Sequence, residues 1–160
     1  MPRYHEVVQS DGTVELVPAT VSSSFTSQIQ IRIEGDGRII EPNGVPEHNT
    51  GNPNTISAQS YRHTALVQLE SSGQFTLASL FGTCINGVPL DPGAAEFFHG
   101  DRTNSRQYEA LSGAVALGLD ESHAHVQPKG VYHYHAAPSL LLSEAGLQPD
   151  KHFPAHRLGR

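Results

Sequence analysis

Residues 120–138 read Asp-Glu-Ser-His-Ala-His-Val-Gln-Pro-Lys-Gly-Val-Tyr-His-Tyr-His-Ala-Ala-Pro, and they constrain this chain more than any other stretch. Two His-x-His pairs, His123/His125 and His133/His135, flank the segment Gln127-Pro128-Lys129-Gly130. Side chains on a β-strand alternate between faces, so residues two apart point the same way. Pro128 suits the second position of a type I turn, and Gly130 suits the left-handed residue that follows it. Together they predict a three-residue hairpin loop with a glycine bulge. That register sets Gln127 opposite Val131, His125 opposite His133 and His123 opposite His135. All four imidazoles then share one face, with Ala124, Val126, Tyr132 and Tyr134 on the other. A two-residue turn would slip the pairing by one and move His123 and His125 to the tyrosine face.

Same-face neighbours across a hairpin have Cβ atoms about 4.5–5.5 Å apart, so their imidazoles can converge on one ion at about 2.0–2.1 Å. Crowded imidazoles without a nearby carboxylate also lose affinity for protons, which suits metal binding. Three readings stay open on the residues alone: a metal site, metal-free catalytic or binding histidines, and a structural or pH-sensing cluster. Asp120 reads as a ligand, as a carboxylate orienting an imidazole, or as a turn residue before the strand. His63, His99, His152 and His156 have no spacing argument and are expected to be exposed.

A length of 160 residues fits one domain, 1–160. The hydrophobic fraction of 37%, the absence of Trp, 15 Gly and 11 Pro favour short strands joined by turns over long helices. The fold class expected is mainly β, an antiparallel sandwich or barrel-like single domain with one or two short helices. A net charge of −6 argues against a nucleic-acid partner. No run of 18 apolar residues predicts a membrane span. Cys84 is the single cysteine, so it forms no disulfide within this chain, and its neighbours suggest packing rather than reactivity.

Residues 4–9 and 13–17 read as strands joined through Asp11-Gly12. Gln28–Glu34 alternates strictly, which predicts that Ile29, Ile31 and Ile33 face a core. Residues 41–60 are too rich in Pro, Gly and Asn for regular structure, and a loop of that length is functional or disordered. Thr64–Glu70 alternates again, with Ala65, Val67 and Leu69 on one face, and Ser71-Ser72-Gly73 turns it into Gln74–Leu80. Thr83–Ile85 meets Val88–Leu90 through Asn86-Gly87, and Pro89 is expected to confine the return strand to an edge. Asp91-Pro92 opens a predicted short helix ending near Phe98. Tyr108–Leu111 suggests a helical turn, and Ala114–Leu119 a short strand or a further turn. Leu140–Leu142 begins a short segment stopped by Gly146, and 148–160 reads as an irregular tail.

The string His-Val-Gln-Pro-x-Gly-x-Tyr-His-Tyr-His, residues 125–135, resembles the signature of the YHYH domain family. Asn43–His48, Asn52-Pro53-Asn54, Asn86–Glu96 and Tyr108–Leu111 extend that resemblance, with its best extent about 29–142. The family is largely uncharacterised and suspected of binding metal. The resemblance therefore weighs on His125, His133 and His135, which lie inside the string, more than on His123 just outside it. It also makes His48, which ends the piece Asn43–His48, the best remote ligand. Relatives usually continue into a segment resembling Gly-Trp-Ala-x-Asp-Gly-Phe-Pro-Ile-Tyr-Gly and commonly carry an export signal. Neither occurs here, so the chain reads as a shortened relative or an incomplete copy, and its compartment stays open.

The function expected is a metal-binding protein holding Zn²⁺ or Cu²⁺ on His125, His133 and His135, with His48 or His123 as further ligands. Three imidazoles and an open position would suit a hydrolase, lyase or oxidoreductase acting on a small molecule. The alternative is a non-catalytic metal carrier or ligand-binding module with a closed site. A cupin-like barrel is a more remote alternative, because the glutamate it needs soon after His125 is missing. No sequence feature identifies the substrate or catalytic residues. Without the absent family segment, the hairpin is expected either to self-associate through an exposed edge strand or to be covered by residues 140–160, with Leu140, Leu141 and Leu142 buried.

Overall fold

The computed structural model describes residues 4–8, 14–18, 25–52, 54–68, 71, 73–74, 80–91, 93, 96–103 and 106–147. The fold is mainly β. Strands β1 (Tyr4–Val8) and β2 (Val14–Pro18) form an antiparallel hairpin; its Asp11-Gly12 turn lies outside the described residues. Strands β3 (Ile29–Glu34), β4 (Gly37–Pro42) and β5 (His63–Leu66) form an antiparallel sheet in that order. Strands β6 (Gly82–Thr83), β7 (Pro89–Leu90), β8 (Ala124–Val126) and β9 (Tyr132–Tyr134) form a mixed sheet in the order β6-β7-β9-β8. None of these sheets closes into a barrel among the described residues. One α-helix, α1 (Ser139–Glu144), follows β9, and no described helix is long and apolar enough to cross a membrane.

The alternating strand at 29–34 forms with the expected pairing, Ile31 opposite Ile40 and Ile33 opposite Arg38. Its apolar face is not a core, however: Ile31 is 54% exposed and Ile33 57%. Two β4 residues are buried: Ile39, whose partner is Arg32 on the opposite face, and Pro42, whose partner is the half-buried Ile29. Periodicity fixes which residues share a face, but which part is covered depends on what packs there; Gly87 closes on Ile29 and Pro42 at one end, and Ile31 and Ile33 stay open.

The loop after β4 is neither loose nor merely a linker. Val45 and Ile56 are fully buried and join Val88, Ala124, Val126, Tyr132 and Tyr134 in one hydrophobic cluster. The core is therefore the tyrosine face of the β8–β9 hairpin, roofed by residues of that loop. Loop side chains also line the outer edge of β8. Asn52 Oδ1 accepts from the Val126 amide at 2.9 Å, and Asn54 Nδ2 donates to the Val126 carbonyl at 2.8 Å. The Ser57 amide donates to the Gly130 carbonyl at 3.0 Å. These bonds answer backbone groups that an edge strand otherwise offers to another chain.

Other elements differ from expectation. Strand β5 ends at Leu66, so Val67 is outside it, and Leu69 and most of 74–80 lie outside the described residues. Pro89 sits inside its sheet, between β6 and β9. It is tolerated because the neighbouring bonds use other donors: Cys84 and Phe81 donate to the carbonyls of Val88 and Leu90, and Asp91 donates to Tyr134. The described part of 91–98 holds no α-helix, only a 3₁₀ turn at Phe98–Gly100. Helix α1 covers the three leucines; Leu142 is buried, whereas Leu140 and Leu141 are half-buried.

Gly130 lies at φ 81, as the hairpin loop requires, and a Cβ there would collide with the Ser57 side chain. Gly35 is also left-handed, at φ 60, but open space surrounds it. Gly35→Ala should therefore cost about 1 kcal/mol, the left-handed penalty alone. Gly130→Ala should cost roughly 2 kcal/mol or more, because strain and collision combine. Denaturant unfolding of both variants checks this; equal losses would contradict the packed loop.

Candidate metal centre

The β8–β9 register is the one the Pro-Lys-Gly loop predicts: His125 opposite His133, Ala124 opposite Tyr134 and Val126 opposite Tyr132. The Gly130 amide donates to the Gln127 carbonyl, and the Gln127 amide donates to Val131, which closes the loop. Alternation then puts His125, His133 and His135 on the face opposite the tyrosine core. Their rings pack edge to face with centroids 4.7–4.9 Å apart. One nitrogen from each lies within 4.8 Å of the other two.

The His125 tautomer follows from its partner. Its Nδ1 is 2.7 Å from the Leu117 carbonyl, which can only accept, so Nδ1 carries the proton and Nε2 presents its lone pair. That Nε2 accepts a hydrogen bond from Nε2–H of His135 at 3.2 Å. Two nitrogens held on one ion at about 2.0–2.1 Å with tetrahedral angles stand about 3.3–3.4 Å apart, so this spacing fits a shared ion. Nδ1 of His133 and of His135 are buried without a well-formed hydrogen bond. The Val131 and Asp91 carbonyls lie close enough to favour the charged rings but fall short of that geometry. Burial, reinforced by His125 and His135, holds the His133 imidazole down to about 4. Burial and then His125 also lower His135. Buried, neutral and partly unsatisfied imidazoles make a donor set that a divalent cation suits.

These rings line a cavity of about 540 Å³ that also contains Asp91, Glu96 and Lys129. Negative charge on Asp91 favours protonation of both His133 and His135, and Glu96 acts likewise on His135. No carboxylate joins the imidazoles in the compact group among the described residues, so Asp91 and Glu96 line the cavity without completing it. Both occur in the stretch Asn86–Glu96, but their place beside the hairpin depends on the parallel pairing of Leu90 with Tyr134. Local spacing holds no sign of a contact between strands so far apart in the chain.

His123, His48 and Asp120 sit elsewhere. His123 pairs through its backbone, accepting from the His135 amide, but its φ of 58 takes it out of strand alternation. Its Nδ1–H donates to the Ala137 carbonyl at 3.0 Å, away from the other imidazoles. The departure follows from a tight turn at 120–123, where Asp120 Oδ1 accepts from the amides of Ser122 and Ala124. Asp120 Oδ2 accepts from the Tyr132 hydroxyl at 2.7 Å, so this carboxylate holds a tyrosine and bonds none of the clustered imidazoles. Burial raises its pKa despite that bond.

His48 lies across the hairpin from the cluster. Its Nδ1–H donates to the Asn49 carbonyl, and Nε2 accepts from the Tyr134 hydroxyl at 2.6 Å. Asn86 Nδ2 donates to the same hydroxyl at 3.0 Å. His99 is exposed as expected, whereas His63 is half-buried and stacks on Tyr61. His152 and His156 lie outside the described residues.

The family model described as "YHYH protein" matches residues 55–155, and the chain belongs to that family. The matched stretch contains the hairpin and the three clustered histidines but begins after His48. No curated protein and no solved structure matches the chain.

His133 titrates near 6.5 in an unfolded chain and near 4 in the fold. Between those values the unfolded chain binds the additional proton, so acid favours unfolding. The stabilisation from its neutral form is complete above pH 6.5 and declines as pH falls toward 4. Denaturant midpoints of metal-free protein at pH 7, 5.5 and 4.5 should drop more steeply for wild type than for His133→Asn. Identical pH profiles would contradict the buried neutral imidazole.

Proposed function

We propose that this YHYH-family chain is a mononuclear metalloprotein whose Zn²⁺ or Cu²⁺ is held by His125, His133 and His135, and that it acts on a small molecule in the adjoining cavity. The supporting observation is the convergence of three buried or half-buried imidazoles, with a cross-pair spacing of 3.2 Å, on a cavity of about 540 Å³. A bound ion would supply Lewis acidity, polarising a substrate oxygen or a water, and copper would add redox chemistry.

The chain's own residues would do the rest. The Leu117 carbonyl orients His125, and packing keeps His133 and His135 neutral near pH 7. Asp91 and Glu96 offer carboxylates that can take up a proton within the cavity, and Lys129 offers the opposite charge. Hydrolase, lyase and oxidoreductase chemistry all suit this set. A non-catalytic carrier would favour a closed site with four protein ligands. The outward turn of His123 leaves three imidazoles, which favours an open position.

Protein purified without a polyhistidine tag should take up one Zn²⁺ or Cu²⁺ per chain, measured by elemental analysis after dialysis. His125→Ala, His133→Ala and His135→Ala should each weaken uptake by about 100-fold or more, while His123→Ala keeps the stoichiometry. Wild-type loading far below one ion per chain would overturn the proposal.

A further inference from the structure

A second cavity, of about 520 Å³, opens between the β6–β7 hairpin and α1. Phe81, Cys84, Ile85, Leu90 and Leu141 frame it, and His135 belongs to its wall as well as to that of the imidazole cavity. The shared wall has a simple origin. Strand β9 ends at Tyr134, His135 follows it directly, and Ala136-Ala137-Pro138 then carries the chain into α1 along the cavity wall. Among the described residues, apart from His135, only Thr83 and Cys84 bring polar side-chain atoms to the wall. Burial pushes the Cys84 thiol up to about 11, so it faces the cavity uncharged near pH 7.

A cavity of this size lies in the range of small-molecule sites, about 300–1,000 Å³, and an apolar wall beside a few polar groups is their usual form. Its rim keeps Phe81 60% and Ile85 73% exposed, a clustered apolar surface at the mouth of a cleft. The imidazole cavity on the other side of His135 carries the charged groups.

We propose that the cavity framed by Phe81, Ile85, Leu90 and Leu141 seats an uncharged aryl or alkyl arm of a small molecule whose polar head lies at the three imidazoles. This assignment rests on the reading of those imidazoles as the reactive centre. The substrate class is therefore amphipathic, with one polar group that meets the imidazole cavity and a hydrocarbon portion beyond His135.

The test uses the full chain without metal, so a failure to load metal does not enter it. N-phenyl-1-naphthylamine, an uncharged apolar fluorophore, should bind saturably at one site per chain. Ile85→Arg and Phe81→Arg replace mostly exposed side chains, so the fold should survive, and each should weaken binding about tenfold or more. Bound fluorophore should shift the ring signals of His135 in ¹H–¹⁵N spectra, assigned through His135→Gln, and leave those of His48 in place. Absence of saturable binding, indifference to both substitutions, or unmoved His135 signals would overturn the proposal. Self-association that Ile85→Arg abolishes, with no fluorophore bound by wild type, would also overturn it and assign the cavity to a second copy of the chain. Metal uptake measured separately on Ile85→Arg and Phe81→Arg should stay at one ion per chain; its loss in wild type as well would count against the metal centre and not the apolar cavity.

Discussion

The pairing of His125 with His133 decides nearly everything else in this protein. In that register, β8 and β9 separate their side chains completely: alanine, valine and two tyrosines go inward, and three imidazoles go to the other side. A shift by one residue would move members of each set to the wrong face. The loop at 127–130 sets the register from one end. Gly130 has no room for a Cβ against Ser57, which ties the turn to the long loop after β4.

The tyrosine face also needs its hydroxyls answered. A buried hydroxyl without a partner costs about 1–3 kcal/mol, so each one restricts what can pack above it. Tyr134 meets His48 and Asn86, and Tyr132 meets Asp120, which Asn52 also approaches at 3.4 Å. Asn52 further accepts from Val126. His48 of the long loop thus holds the hairpin from its core side, while Asn52 and Asn54 of the same loop hold the edge of β8 and also line the imidazole cavity.

Much of this was legible in the sequence because it is local. The His-x-His spacing, the Pro-Lys-Gly loop and the alternation of Tyr with His in β9 are properties of neighbouring residues, and the register followed from them. The departure of His123 was not legible, because it depends on Asp120 closing a turn and on a left-handed backbone at the strand's foot. His48 stands out in the sequence as a member of a motif, but only folding reveals that its partner is a tyrosine. The exposure of Ile31 and Ile33 shows the same limit: alternation defines a face, while burial depends on a distant layer. Asp91 and Glu96 reach the cavity through a parallel strand contact that no local pattern encodes.

The proposed centre would hold one ion on three imidazoles, and not four, with a position left for a small ligand. X-ray absorption spectroscopy of the fully loaded Zn²⁺ or Cu²⁺ protein tests it most directly. Three imidazole scatterers and at least one oxygen ligand without ring scattering are expected, with the imidazole count reduced by His133→Ala and unchanged by His123→Ala. A fourth imidazole lost on substitution of His123, or fewer than three in wild type, would contradict it.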